Sequence, residues 1–352
     1  MKFLFSLLIV LALFSAGCRK KVDNPSGQQP QNVVALDSAD VKTSPVSGQA
    51  NEAKLMYAPQ KGSEFVYVLT AMGKDYSTLK ADTVMENKVE SKMTYKFSVA
   101  VTDVETDGAL TMNVTFLAVT LDAGSTQEKV HYQSSEKHDS ATIQKFFQYE
   151  ALVNNTFGLR VKNDGEILEV FKSDKIIDKM VQLSKMPKAP SPQEKAQIKS
   201  QVEQSVLLPT VQQIFRKLPA NTVAVNHTWN LNFDLPINQI ISFNTNQIFK
   251  FKGIEMLNDN KVARIDIGAE AKPEVNPKAK EQGIEVETAT MNGKGTAFFD
   301  LTANMMSYGK TKLSIHSIIK AKNKGPKGIV SISQSTVSEK VNIFRLVEVK
   351  NK

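Results

Sequence analysis

Lys92-Met93-Thr94-Tyr95-Lys96-Phe97-Ser98-Val99-Ala100-Val101 alternates without a break: Met93, Tyr95, Phe97, Val99 and Val101 are apolar, and the residues between them are polar or small. Successive side chains of a β-strand point to opposite faces, so this period of two marks a strand with one face buried and the other wet. The period recurs in Phe65, Tyr67 and Leu69, and in Leu110, Met112, Val114 and Phe116. It returns in Ala263, Ile265 and Ile267, set against Val262, Arg264 and Asp266. Asp107-Gly108, Asn163-Asp164-Gly165 and Asn258-Asp259-Asn260 separate such runs with residues that tolerate positive φ, as antiparallel hairpins require.

The period changes between Ser173 and Leu218. Ile176, Ile177, Met180 and Val181 share one helical face behind a cap at Ser173 or Asp174. Ser191-Pro192-Gln193-Glu194 is a capping box with proline at the first helical position. A helix is expected to run from it toward Leu218, kinked or divided at Pro209, with Val211, Ile214, Phe215 and Leu218 as a core-facing stripe that stops at Pro219. The expected fold is α+β and mainly β: antiparallel β-sheet lobes at 61–172 and 219–352 with a helical insert, 173–218, between them. The sheet is expected to be curved, or a half-barrel, covered by the helices.

The chain opens with Lys2, an apolar run from Phe3 to Phe14, and Ser15-Ala16-Gly17 before Cys18, the single cysteine of the molecule. Those are the parts of a secretory signal peptide over 1–17, and the apolar run is shorter than the ~20 residues a membrane-spanning helix needs. Leu13 to Cys18 resembles the lipobox of bacterial lipoproteins, with Ala16, Gly17 and Cys18 in place and Ser15 where leucine is usual. The resemblance implies cleavage after Gly17, acylation of Cys18 and attachment to a membrane through that lipid. Arg19 stands where aspartate implies retention in the inner membrane of enteric-type bacteria, so by analogy the outer membrane, facing the periplasm, is the expected location. Val22 to Gln60 is rich in Asn, Pro, Ser, Gly and Gln, and 18–60 reads as the lipidated cysteine followed by a flexible linker. With the lipobox, the β-helix-β layout resembles a group of uncharacterised bacterial β-rich lipoproteins classed as a domain of unknown function, which implies no catalytic residues.

Three patterns approach known chemistry. Asp103-x-Glu105-x-Asp107-Gly108 starts like a calcium loop, but Val114 stands where the bidentate glutamate belongs, and the flanks alternate as strands. Asn304-Met305-Met306-Ser307-Tyr308-Gly309-Lys310-Thr311 matches a phosphate loop except at its first glycine, yet Leu313 to His316 alternates where a helix should begin. Gly293-Lys294-Gly295-Thr296 reads as a glycine turn or bulge. His131 and His138 lie near Glu136 and Asp139, with His227 and His316 isolated, and none has metal-ligand spacing. The sequence therefore assigns no catalytic residue, metal ligand or cofactor. A net charge of +8 and a pI of about 9.2 raise nucleic acid as a partner, but export and the lack of basic clusters interleaved with aromatics count against it, and no nucleic acid is expected. The expected function is a lipid-anchored, non-enzymatic binding or scaffold module of the cell envelope, contacting the membrane through its anchor and an envelope protein or apolar ligand through its body. The alternative is an acyl-chain or other hydrophobic-ligand binder of the lipoprotein-carrier type, and an envelope-polymer hydrolase stands last.

Overall fold

The structure is a computed structural model that describes residues 41–46, 52–125, 128–186, 188–325 and 328–350. The signal peptide, its cleavage residues Ser15, Ala16 and Gly17, and Cys18 lie outside the described residues. In chain order the elements are β1 (Ser44–Pro45), β2 (Glu52–Ala53), β3 (Glu64–Lys80), β4 (Val84–Val104), β5 (Leu110–Ser125), β6 (Lys129–Gln133), α1 (Ser140–Lys145), α2 (Phe147–Leu152), β7 (Thr156–Val161) and β8 (Ile167–Phe171). There follow α3 (Asp174–Leu183), α4 (Pro192–Val202), a π-helical turn (Glu203–Leu207), α5 (Leu208–Gln212), β9 (Val223–Ala224), β10 (Thr228–Pro236), β11 (Ile241–Leu257), β12 (Asn260–Val275), α6 (Pro277–Glu281), β13 (Ile284–Asp300), β14 (Met305–Gly325) and β15 (Gly328–Lys350).

The two lobes are continuous with each other. They form one sheet of 13 strands in the order β1-β11-β12-β13-β14-β15-β3-β4-β5-β7-β8, with β10 on β11 and β6 on β5. All of its strand pairings are antiparallel, and the path does not return on itself, so the sheet is open and not a barrel. The join between the expected lobes is the pairing of β15 with β3, from Lys350↔Glu64 to Ser333↔Lys80. A sheet of this width twists and coils, and bulges at Phe251/Gly253, Val286/Thr288, Lys96/Phe97 and Leu346/Glu348 add local bends.

The hairpins follow the expected turns. Leu257 pairs with Asn260 across Asn258 and Asp259, both at positive φ, as a two-residue hairpin demands. Asp107 Oδ1 accepts from Ala109 N at 2.9 Å and Gly108 sits at φ +83°, so the acidic stretch that began like a calcium loop is a β-turn. Asn304, at φ +53°, closes the turn into β14, and the phosphate-loop match lies in a strand.

Helices cover one end of the sheet. Phe65, Tyr67, Phe97, Phe116, Phe157, Phe251, Phe299 and Phe344 pack there with Ile176, Ile177, Val202, Leu207, Val211, Ile214 and Leu218 in one cluster. The capping box at Ser191 and Glu194 is complete. The expected run to Leu218 is not. Proline lacks an N–H and crowds the preceding turn, and the chain widens into the π turn before Pro209, where α5 restarts and ends at Gln212. The stripe is buried nonetheless, its last residues being carried by turns in which Leu218 N donates to Asp164 O at 2.7 Å. The linker also ends earlier than expected. β2 pairs with β9, and Leu55 and Tyr57 are buried, because an aromatic ring gains more from the core than a tether gains in freedom by releasing it.

Candidate ligand-binding face

Residues paired across antiparallel strands share a face, so the register carries one face across the sheet. Leu69 of β3 is level with Tyr95 of β4 and Phe344 of β15, and then with Gly309, Ala297, Ile265 and Phe251 on β14, β13, β12 and β11. This row lies under the helical cover, where the core is filled. Two rows further from the helices the same face carries Gly73, Lys340, Leu313, Gly293, Ala269, Gln247 and Leu231. Beyond it lies a second apolar cluster in which Ile241, Phe243, Met291 and Ile315 are buried, flanked by the partly buried Leu235, Ile240, Leu313 and Ile319. No residue of α1–α5 belongs to that cluster. The sheet is therefore apolar on one face over a greater length than its helices cover.

The opposite face is polar and ion-paired, through Lys88 with Glu90, Lys312 with Glu339, Lys320 with Glu287 and Arg264 with Asp266. On the apolar face, from Leu69 to Leu79 and the positions level with them on β4 and β10–β15, the charged groups among the described residues are Asp75 and Lys340. Lys340 pairs with Gly73 and Ser338 with Asp75, so the two charges are diagonal neighbours. Among the described residues neither enters an ion pair. Burial holds the Lys340 ammonium below the usual lysine range, and Asp75 pulls the other way. Thr245, Ser317 and Ser338 are buried on the same face.

At the covered end a second cation is desolvated. Arg216 is buried, its guanidinium lies 5.8 Å from the ring centre of Phe344, and its Nε has no hydrogen-bond partner. Burial pushes its pKa down to about 10. The surrounding turn is held by Tyr57, whose hydroxyl donates to Ile214 O at 2.9 Å and accepts from Arg216 N at 2.9 Å. Gly165, at φ +89°, lies so close that a Cβ there would meet Arg216 O at 2.2 Å.

A model described as "Family of unknown function (DUF6263)" matches residues 107–307, more than half of the chain. The protein belongs to the DUF6263 family. No curated protein matches it. Among solved structures, lipovitellin is similar at 10% identity over 83% of this chain, with a TM-score of 0.42, and the chain spans 26% of lipovitellin's own length. The outer membrane protein OprG of Pseudomonas aeruginosa is similar at 6% identity over 83% of this chain and 100% of its own, with a TM-score of 0.18. OccK7 (OpdD) of the same organism reaches 0.20 at 8% identity, over 81% of this chain and 99% of its own.

The DUF6263 segment holds α1–α6 and β5–β13, and so includes Arg216, whereas Asp75 and Lys340 lie outside it. It also contains three of the four histidines. His131 Nδ1 is 2.6 Å from Asp122 Oδ1 and its Nε2 is 3.8 Å from Glu136, on the surface. His138 is a separate, half-buried group that stacks on Tyr132 at 5.0 Å, donates from Nε2 to Gln133 O at 3.0 Å and lies 3.8 Å from Glu150. The two histidines do not converge. Asp139, expected beside them, instead caps α1 by accepting from Thr142 N. His227 stacks near Trp229 and His316 lies on the polar face of β14. Among the described residues no three His, Cys, Asp or Glu side chains gather as metal ligands. Sequence reasoning missed Tyr57, Arg216 and Lys340, since none belongs to a motif and each acquires its setting from strands or turns remote in the chain.

Proposed function

We propose that this protein is a non-enzymatic binding module of the bacterial cell envelope, tethered to a membrane through acylated Cys18, that receives an apolar ligand on the open half of its sheet. The observation that carries the reading is the apolar rim that this face keeps beyond the helical cover, with Leu313 and Ile319 half-buried and Leu231 and Phe233 each 38% exposed. An apolar surface is retained where something occupies it, because each Å² left in water forgoes about 25 cal/mol. Gly17-Cys18 after the apolar run supports the tether, and Arg19 supports the outer membrane. Two lipid chains or more on one cysteine hold a protein durably, so the module acts as a stationary receiver and not as a shuttle.

A second reading has its own observation. β10 borders the sheet, pairs with β11 alone, and leaves Leu231 and Phe233 each 38% exposed. An edge of that kind can accept a strand from a protein partner.

The Cys18→Ala chain is expected to leave the membrane fraction, and retention there after a high-salt wash would overturn the tether. Native mass spectrometry of that chain, purified without detergent, is expected to show a stoichiometric lipid-sized adduct. A bare mass together with an envelope protein captured by wild type and lost in Leu231→Lys would transfer the assignment to the edge strand.

A further inference from the structure

We infer that the open half of the sheet takes a zwitterionic amphiphile, an acyl chain bearing a head of the phosphoethanolamine type, with Lys340 at its phosphate and Asp75 at its ammonium. The inference rests on the apolar-ligand reading above and names the class of ligand. Its warrant is the placement of charge. Along this half of the face every strand from β10 to β14 presents uncharged side chains, while the polar face behind it is crowded with paired ions. Two opposite charges remain on the apolar side, on neighbouring strands and at diagonal positions, where Cβ atoms stand about 7–8 Å apart. They do not pair with each other.

A half-buried ammonium on an apolar face without a bonded counter-ion is costly, and nothing in the packing of β15 needs it, since Gly73 on one side and Leu313 on the other would accommodate an uncharged chain. An anionic head alone would satisfy Lys340 and face Asp75 with a like charge. A cationic head alone would do the reverse. A head that carries both signs satisfies both, and its acyl chain then lies along Leu313 and Ile319 of β14, the half-buried apolar side chains of the same face that flank the buried second cluster. Gly73, Gly293 and Ala269, level with Lys340, keep the floor low where the head must sit.

The test uses the Cys18→Ala chain as its reference protein, purified without detergent, in calorimetric titrations with lauroyl-lysophosphatidylethanolamine below its micelle concentration and with decanol as the neutral probe. The reference protein is expected to bind both. Lys340→Met is expected to weaken the lysophospholipid about tenfold or more, the loss of one charge-assisted contact, and Asp75→Asn to weaken it several-fold, with decanol unchanged in both. Dodecyl phosphate separates the roles further, because Asp75→Asn should strengthen it while Lys340→Met weakens it. If the three proteins bind lysophospholipid and decanol alike, the head-group assignment is wrong and the apolar face stands. If the reference protein binds neither probe, the ligand reading of the preceding section falls as well. Lys294→Met removes an exposed charge from the opposite face, and a loss there equal to that of Lys340→Met would reduce the effect to general attraction by a basic protein and overturn the proposal.

Discussion

Tyr57 comes from a stretch whose composition reads as tether, yet its ring packs on Phe215 and Phe299 at 5.3 and 5.5 Å and its hydroxyl closes the turn at Arg216. It is one of five tyrosines among seven, with Tyr67, Tyr95, Tyr132 and Tyr149, whose pKa burial raises above the ordinary 10.0. A phenol with a raised folded pKa is neutral in both states below about pH 10; above it the unfolded chain loses protons that the folded chain keeps, so stability falls as pH climbs. Arg216 works in reverse, since its depressed pKa near 10 adds stability as pH rises above about 10. Five groups outweigh one, and alkaline unfolding is expected to begin above about pH 10. The phenolate absorbance of the buried five should appear together with loss of the far-ultraviolet signal, and their ionisation near pH 10 in a folded chain would contradict their burial. Lys340 shows why the candidate site was illegible. Val337, Val341 and Ile343 alternate with Ser338, Lys340 and Asn342, which suggests that the lysine faces water, and only the register with β3 and β14 places it on the apolar side.

Where an element's ends or its buried face are written in local chemistry, sequence and structure agree. Ser191 Oγ accepts from Glu194 N at 3.3 Å and Glu194 Oε2 accepts from Ser191 N at 2.8 Å. Ser191→Ala is expected to destabilise the protein by about 0.5–2 kcal/mol, read as a lower urea midpoint at unchanged slope. An unchanged midpoint would mean that α4 is not part of the cooperative unit. The elements that sequence did not disclose lack such marks. α1 and α2 have six residues each, too few turns to establish a period of 3.6. β3 and β4 were legible near Phe65 and Phe97, but their outer halves, such as Gly73-Lys74-Asp75-Tyr76-Ser77, do not alternate between apolar and polar. They remain strands because the backbone ladder continues, from Gly73↔Ser91 to Lys80↔Val84.

For the molecule as a whole, strand content and antiparallel pairing followed from periodicity, while the union of the two lobes did not, because pairing between β3 and β15 joins segments more than 250 residues apart and leaves no local trace. A chain lacking residues 328–350 would expose the edges of β3 and β14 and lose Phe344 from the core. Loss of cooperative urea unfolding is therefore expected for that truncation, and its persistence would mean that the two lobes fold independently. The same seam has a mechanical consequence. Glu64 and Lys350 meet at one end of the β3–β15 pair, so once the short β1 and β2 and the buried Tyr57 that precede Glu64 have given way, tension applied between the two ends of the chain pulls on that pair from a single corner. Hydrogen bonds loaded in this way break one after another, as in a zipper, whereas bonds sheared along the strands would share the force. A body pulled from both ends would shed its short first strands and then part along the middle of its own sheet.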